Sequence, residues 1–351
     1  MTRTTPTHST TERYAALPVL DLREFDPGAD PAVRGLFLER LRETCHDVGF
    51  LYLVGHGVDD TLFREVEEVT RAFFALPEAD RMSIAMTRSP HFRGYTPLGG
   101  ELTNGRADRR EEIDLGPERP TPALTVADPP WRRLLGPNQW PVAIPQFRAT
   151  MFTWHEQMDT VGHRLLRALA TSLGQPDDQF DSWVDPDPEA TIKAIHYPPS
   201  GPGGDQQGVG THRDFGLLTF VLQDAVGGLQ VERDGCFLDV PHLPGALVVN
   251  LGEMLQLATH GYLKATVHRV ISPPAGMQRF SVIYFFNPRL DATLTPIDLP
   301  AELATQATGG HSADPDNPIL ATYGENILKV RLRAHADVAQ LHHADLLAAE
   351  N

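Results

Sequence analysis

The apolar positions of this chain change period once. Up to about residue 173 they recur mostly three and four apart, and beyond about residue 190 they come in short runs cut by glycine, proline and Asp-Gly. Val33, Leu36, Phe37, Leu41 and Cys45 fall on one side of a helix over Val33 to Val48, which Gly49 is expected to end. Leu17 to Asp21 reads as a short strand, and Phe50 to Val54 as a continuous apolar one. Asp59 or Asp60 can cap the next helix, which runs through Leu62, Phe63, Val66, Val69, Phe73 and Phe74 until Pro77 stops it. A long helix is expected from about Gln146 to Leu173, with Phe147, Met151, Trp154, Met158, Val161, Leu165, Leu166 and Leu169 as its core stripe and Gly174 beyond its end.

The second texture predicts strands at Ile192–Tyr197, Val209–Asp214, Leu217–Leu222, Gly228–Glu232, Phe237–Val240, Ala246–Leu251, Ala265–Ile271 and Arg279–Phe286. Asp234-Gly235 is a hairpin signal. Short strands at such spacing predict an α+β chain with a mainly β core, a jelly roll (double-stranded β-helix) with N-terminal and flanking helices. The expected division is a disordered polar tail at 1–16, an N-terminal helical region at 17–145, the long helix and jelly roll at 146–290, and a C-terminal segment at 291–351 that packs on the core. Within the N-terminal region, 80–140 is irregular and the proline-dense stretch 117–145 reads as connecting loop.

Charge narrows the function classes. Lys and Arg number 30 against 46 Asp and Glu, a formal charge of −16, which argues against nucleic acid and anionic membrane as partners. No stretch approaches the apolar length of a membrane span, and residues 1–16 lack the apolar segment of a signal peptide. Cys45 and Cys236 fit no metal or redox spacing and are expected to be reduced thiols. The expectation is a cytoplasmic protein, a monomer or weak homo-oligomer, acting on a small molecule.

The candidate chemistry lies in Thr211-His-Arg-Asp-Phe-Gly216. On a strand, residues two apart share a face, so His212 and Asp214 project together from α-carbons roughly 6.5–7 Å apart. His268, on a later strand-like run, supplies a third group. Two imidazoles and one carboxylate with open positions form the facial set of non-haem Fe(II) oxygenases. Two further His-x-Asp pairs, His335/Asp337 and His343/Asp345, sit in helical sequence, where residues two apart diverge, so both histidines are expected to be dispensable. Arg279 and Ser281 read as a clamp for an acid that shares the metal. Arg109-Arg-Glu-Glu112 reads as a solvated face, His56 as a turn residue, and His155 and His163 as surface or packing residues.

The chain resembles the isopenicillin N synthase-like branch of the Fe(II)- and 2-oxoglutarate-dependent oxygenases. The likeness rests on Leu17-Pro-Val-Leu-Asp-Leu22, Asp47-Val-Gly-Phe50, Val54-Gly-His-Gly57, Phe73-Phe-Ala-Leu-Pro77, Tyr197-Pro-Pro199, the His212 motif, Val249-Asn-Leu-Gly252, Val267-His-Arg-Val270 and Arg279-Phe-Ser281. It implies His212, Asp214 and His268 as ligands of Fe(II), with 2-oxoglutarate and O2 as cosubstrates. It implies Arg279, Ser281 and Tyr197 as holders of the 2-oxoglutarate carboxylate. The family's usual Asn-Tyr-Tyr-Pro reads Ile195-His-Tyr-Pro198 here, which leaves the role of His196 open. The resemblance places the segment with Phe92, Arg93 and Tyr95 at the mouth of the site, and these with Phe215 are the substrate candidates. Arg93 is expected to pair with a substrate carboxylate.

The implied activity is oxidation, by default hydroxylation, of an unactivated C–H bond of a small molecule, coupled to decarboxylation of 2-oxoglutarate to succinate and CO2, in natural-product biosynthesis. Desaturation and ring formation remain open. So do a cosubstrate-free oxidase of the isopenicillin N synthase type, an ethylene-forming-type enzyme and a non-catalytic jelly-roll binding protein. A halogenase is disfavoured, because its chloride needs the place of Asp214.

Overall fold

The structure is a computed structural model, and it describes residues 17–200, 207–293, 295–309 and 319–349. The expected tail at 1–16 lies outside the described residues. Its strands in chain order are β1 (Val19–Asp21), β2 (Phe50–Val54), β3 (Gly94–Thr96), β4 (Leu102–Thr103), β5 (Arg106–Ala107), β6 (Glu111–Leu115) and β7 (Thr191–Tyr197). There follow β8 (Gln207–His212), β9 (Leu218–Gln223), β10 (Leu229–Arg233), β11 (Cys236–Asp239), β12 (Leu247–Leu251), β13 (His268–Ile271) and β14 (Arg279–Phe286). They form an eight-stranded sheet in the order β1-β2-β12-β9-β14-β7-β6-β3, a four-stranded sheet in the order β11-β10-β13-β8, and the small hairpin β4-β5. Among the paired strands described, β1 and β2 run parallel and the other pairs antiparallel.

The large sheet has two different neighbours, and the alternation along β14 shows both. Val282, Tyr284 and Phe286 are buried in the cluster shared with the helices. Ser281, Ile283 and Phe285 turn the other way and line a cavity between the two sheets. The long helix, Pro145–Ser172, lays Met151, Trp154, Met158, Val161 and Leu165 against the first face. Each side chain of that size contributes about 1.5–3 kcal/mol when fully buried. A second cluster, with Phe50, Tyr52, Ile195, Val221, Val231 and Val248, fills the space between the sheets. The sequence-predicted helices form at Pro31–Asp47, Asp60–Phe74 and Pro145–Ser172, the first two capped by the side chains of Asp30 and Asp59. Gly49 sits at φ +68°, with the Lys264 carbonyl where a Cβ would go, so the first helix must end there.

Two segments depart from expectation. The stretch expected to be irregular contains β3 and β6, which extend the large sheet beyond β7. Glu111 and Glu112 pair with His196 and Ile195 in register, so Arg110, Glu111 and Glu112 are buried and not on a solvated face. Burial holds because the partners are charged: Lys193 Nζ lies 2.6 Å from Glu112 and 3.1 Å from Asp114, and Arg331 donates to Asp114 at 2.6 Å. Arg331 belongs to the C-terminal helix Tyr323–Ala334, which is thereby pinned to β6.

On the long helix, His163 stands 3.5 Å from the Asp159 carboxylate and 3.0 Å from that of Asp185. The hydrogen bond to the Asp159 carboxylate, helped against burial by the Asp159 carbonyl, the Asp159 charge and the hydrogen bond to Asp185, raises the imidazole to about 9. Its contribution is present below the unfolded value near 6.5 and is lost as pH rises through about 9. Wild-type stability is therefore expected to fall between those pH values by more than that of His163→Gln, which urea titrations at the two ends would show. Burial pushes the Cys45 thiol up to about 12, so it stays protonated and packs as an apolar side chain.

Candidate metal and cosubstrate site

The cavity between the sheets has a volume of about 470 Å³. His212 ends β8 and His268 begins β13, and the register places the two residues directly opposite each other. Their ring centroids are 4.3 Å apart. Asp214 follows β8 by two residues and comes within 3.6 Å of His212 Nε2 and 3.7 Å of His268 Nε2 through a single oxygen, Oδ1. All three offer ligand atoms within 4.8 Å of one another.

The groups behind them fix their orientation. His212 Nδ1 is 2.8 Å from the Gly210 carbonyl, and His268 Nδ1 is 3.1 Å from the Thr266 carbonyl. A carbonyl only accepts, so each Nδ1 carries the proton and each Nε2 keeps its lone pair for the space near Asp214. The other Asp214 oxygen, Oδ2, accepts from Thr219 Oγ1 at 2.6 Å and Asn250 Nδ2 at 2.7 Å. That leaves Oδ1 as the carboxylate's free donor atom. Burial alone disfavours the carboxylate, but His268 and His212 outweigh it and hold Asp214 below the usual range. Burial, then His212, pushes His268 down to about 4, so it is neutral near pH 7, the form that binds metals. Gly216 and Gly252 permit the crowding beside this turn: a Cβ on Gly216 would lie 1.8 Å from Asn287 Oδ1, and one on Gly252 2.1 Å from the Gly216 carbonyl. Those two glycines, and the pair Thr219 and Asn250, had no sequence signal of their own beyond the family motifs.

Along the cavity, Arg279 is buried on β14 opposite Tyr197 of β7, its guanidinium carbon 4.7 Å from the centre of the Tyr197 ring. Among the described residues its hydrogen bonds go only to Ser281 Oγ at 3.2 Å and Gln223 Oε1 at 3.4 Å. Arg279 Nε and the Tyr197 hydroxyl are buried without a hydrogen-bond partner among the described residues. A buried guanidinium facing no carboxylate, beside an unsatisfied hydroxyl, fits an anion that would supply the missing acceptors. The donor set at His212, Asp214 and His268 likewise fits a divalent iron: mixed N and O ligands, one negative charge and open sides.

Among the sequence candidates, Phe215 lines the cavity and stacks on Tyr323 with ring centroids 6.2 Å apart. Phe92, Arg93 and Tyr95 do not line it. Arg93 is 2 % exposed and donates to Glu189 at 2.9 Å, Tyr95 donates its hydroxyl to Glu111, and Phe92 stacks on His343. The reason is β3: its pairing with β6 draws this segment into the sheet edge and away from the mouth. The mouth is lined instead by the β4–β5 hairpin, through Leu102, Thr103, Asn104 and Gly105, and by the C-terminal helix. Arg93→Ala would strip a buried carboxylate of one of its two arginines. We expect a loss of about 3 kcal/mol in chemical denaturation, the low end for a broken buried pair because Arg119 also holds Glu189, and no selective change in substrate KM.

His196 also faces away from the cavity, bonded to Glu111 at 2.7 Å and stacked on Phe280. His335 and His343, expected to matter little for the iron, are buried and do not line the cavity. Among the described residues a second group, Glu101, Glu112 and His335, also lies within metal-binding reach of itself. Arg110 and Lys193 already bond its carboxylates at 2.6–2.9 Å, and their charges repel a cation.

Comparison with known proteins agrees with this geometry. Residues 17–143 match the model of the non-haem dioxygenase in morphine synthesis N-terminal domain, and residues 188–288 that of the 2OG-Fe(II) oxygenase superfamily. The chain belongs to the 2-oxoglutarate- and Fe(II)-dependent oxygenases. A 2-oxoglutarate-dependent dioxygenase of Dothideomycetidae sp. (strain 11243) is 33% identical, with 93% of this chain and 92% of that protein covered. A homoarginine-6-hydroxylase of Glycine max is also 33% identical, over 81% of this oxygenase and 89% of the relative. Among solved structures, a full-length Neurospora crassa protein in complex with alpha-KG superposes with a TM-score of 0.72 at 26% identity, covering 91% of this chain and 96% of that one. A Caulobacter crescentus 2OG-Fe(II) oxygenase family protein gives a TM-score of 0.71 at 27% identity, covering 91% and 99%. The oxygenase thus has the jelly roll of its family and uses Fe(II), 2-oxoglutarate and O2. No helix among its described residues is long and apolar enough to cross a membrane.

Proposed function

We propose that this oxygenase holds Fe(II) on His212, Asp214 and His268, holds 2-oxoglutarate against Arg279, Ser281 and Tyr197, and hydroxylates a C–H bond of a small molecule in natural-product metabolism. The observation that carries the reading is the pairing of two features in one cavity: three converging metal donors, and a buried arginine without a carboxylate partner.

Fe(II) held on these residues would activate O2, the oxidant, and 2-oxoglutarate would supply two of the electrons through its oxidative decarboxylation to succinate and CO2. The chain's own residues supply position. Gly210 and Thr266 carbonyls hold both imidazoles in the tautomer that presents Nε2 to the metal. Thr219 and Asn250 hold Asp214 so that one oxygen faces the same point. The planar fork of Arg279 matches a carboxylate bidentately, and Ser281 and Tyr197 offer hydroxyls at its sides. Ile283, Phe285 and Phe215 give the cavity apolar walls that exclude water around the substrate.

The test is succinate release from 2-oxoglutarate, screened over a panel of metabolites with Fe(II) and O2. One succinate per oxidised product is expected. Full product formation in 2-oxoglutarate-free enzyme would instead establish the cosubstrate-free oxidase.

A further inference from the structure

Both ends of the cavity present bases, and those of the second end have no part in the proposed iron and 2-oxoglutarate sites. Along the cavity-facing row of β14, Arg279 stands opposite Tyr197 and Ile283 opposite Lys193. Four residues of strand separate these pairs, about 13 Å. Glu101 joins Lys193 to Arg110, which immediately precedes β6, and Asp114 joins Lys193 to Arg331 of the helix Tyr323–Ala334; both arginines line the cavity too.

The chain as a whole has far more acids than bases, yet the cavity reverses that balance. Its lining includes six Lys and Arg side chains and only three Asp and Glu. Setting aside Arg279 and Asp214, which have roles already, the bases still prevail. The acids that neutralise the Lys193 end mostly stand behind the wall: Asp108, Glu112 and Asp114 do not line the cavity, while Glu101 does. Glu101 is occupied, accepting from Arg110 at 2.7 Å and Lys193 at 2.9 Å. Asp108 accepts from Thr103, Gln207 and the Gly210 amide, and lies 3.4 Å from Arg110. Burial, together with the charge of Glu101, pushes Glu112 well above the usual carboxylate range in spite of Arg110. An incoming cation therefore meets cationic donors whose acids are taken. Among the described residues Arg110 Nε makes no hydrogen bond, although a Glu112 oxygen lies 3.3 Å from it.

We infer that the Lys193, Arg110 and Arg331 end of the cavity binds an oxyanion on the primary substrate, a carboxylate or phosphate, and so orients the apolar part of that substrate toward the metal donors. The inference rests on the oxygenase reading and adds to it a substrate class: a small molecule with an apolar body and one anionic end. Arg333 on the cavity lining adds positive potential that favours entry of an anion. Ile283, Phe285, Ile327 and Val330 lie along the same space and suit the apolar body.

The experiment is calorimetric titration of the full chain, loaded with Fe(II) and saturated with 2-oxoglutarate under nitrogen so that the Arg279 end is filled. The probes share one tail and differ in head group: hexanoate, hexyl phosphate, hexanamide and hexylguanidinium. Hexanoate or hexyl phosphate is expected to bind about tenfold or more tightly than the amide and the guanidinium, the effect of a charged hydrogen bond. The stronger of the two anions names the head group. Arg331→Gln is expected to remove the preference and Arg331→Lys to keep part of it, with 2-oxoglutarate affinity as the check on folding. Equal affinities for all four heads, preference for the guanidinium, or no binding at millimolar concentration while 2-oxoglutarate binds, would each overturn the inference. The wild-type comparison decides even if Arg331→Gln fails to fold. Failure of 2-oxoglutarate itself to bind is a separate result, and it would overturn the oxygenase site and not the head-group preference.

Discussion

Asp214→Ala is expected to abolish iron-dependent turnover while the molecule stays folded. Asp214 is the only anionic member of its group, and Oδ1 is the atom that faces both Nε2 positions. Without it the remaining donors are two neutral imidazoles, which hold Fe(II) weakly in water. Losing an orienting partner of a ligand typically costs ten- to a hundredfold in metal affinity, so losing the ligand itself is expected to cost more than about a hundredfold. The fold survives because the change leaves two small donors, Thr219 and Asn250, without their acceptor, at about 1–3 kcal/mol each. Asp214→Asn keeps the shape and separates charge from packing. His212→Ala and His268→Ala are expected to behave alike. His335→Ala is the control: it opens a buried site beside Glu101 and lowers the melting temperature, but iron content stays normal. Iron lost in the His335 variant and kept in the Asp214 variant would reverse the assignment.

Arg279→Ala is expected to weaken 2-oxoglutarate by roughly ten- to a hundredfold, the effect of a lost charged hydrogen bond of about 1.5–3 kcal/mol. The guanidinium is buried and has no carboxylate of its own, so its removal leaves no partner acid stranded. The loss should therefore appear in cosubstrate affinity before stability. Arg279→Lys is expected to recover only part, since one ammonium cannot reproduce two parallel donors. An unchanged 2-oxoglutarate affinity in Arg279→Ala would remove the arginine from that role.

The parts of this fold that follow a single period were legible in the chain. The long helix was expected at 146–173 and forms at Pro145–Ser172, and Arg279–Phe286 was expected and found as one strand. His212 and Asp214 could be paired from local geometry, because two residues on one strand share a face whatever the rest of the molecule does. His268 could be named as the third group from its strand-like run, but its place opposite His212 depends on strands 56 residues apart and needed the structure. Arg110, Glu111 and Glu112 were misread because adjacent opposite charges resemble solvated sequence. Their partners lie elsewhere in the chain: Arg81 is 30 residues from Glu111, and Lys193 is 81 residues from Glu112. Arg93 failed for the same reason: its distant partner Glu189, 96 residues on, cannot be seen from its own segment. Local pattern sets which face a side chain takes, but long-range charge pairing decided which charged segments were buried.

The most direct test of the shared cavity is to measure bound Fe(II) and bound 2-oxoglutarate side by side in wild type, Asp214→Ala and Arg279→Ala. The expected result is a split: Asp214→Ala loses iron, whereas Arg279→Ala keeps iron and loses most of its affinity for 2-oxoglutarate. Iron retained in Asp214→Ala, or 2-oxoglutarate bound normally by Arg279→Ala, would contradict it.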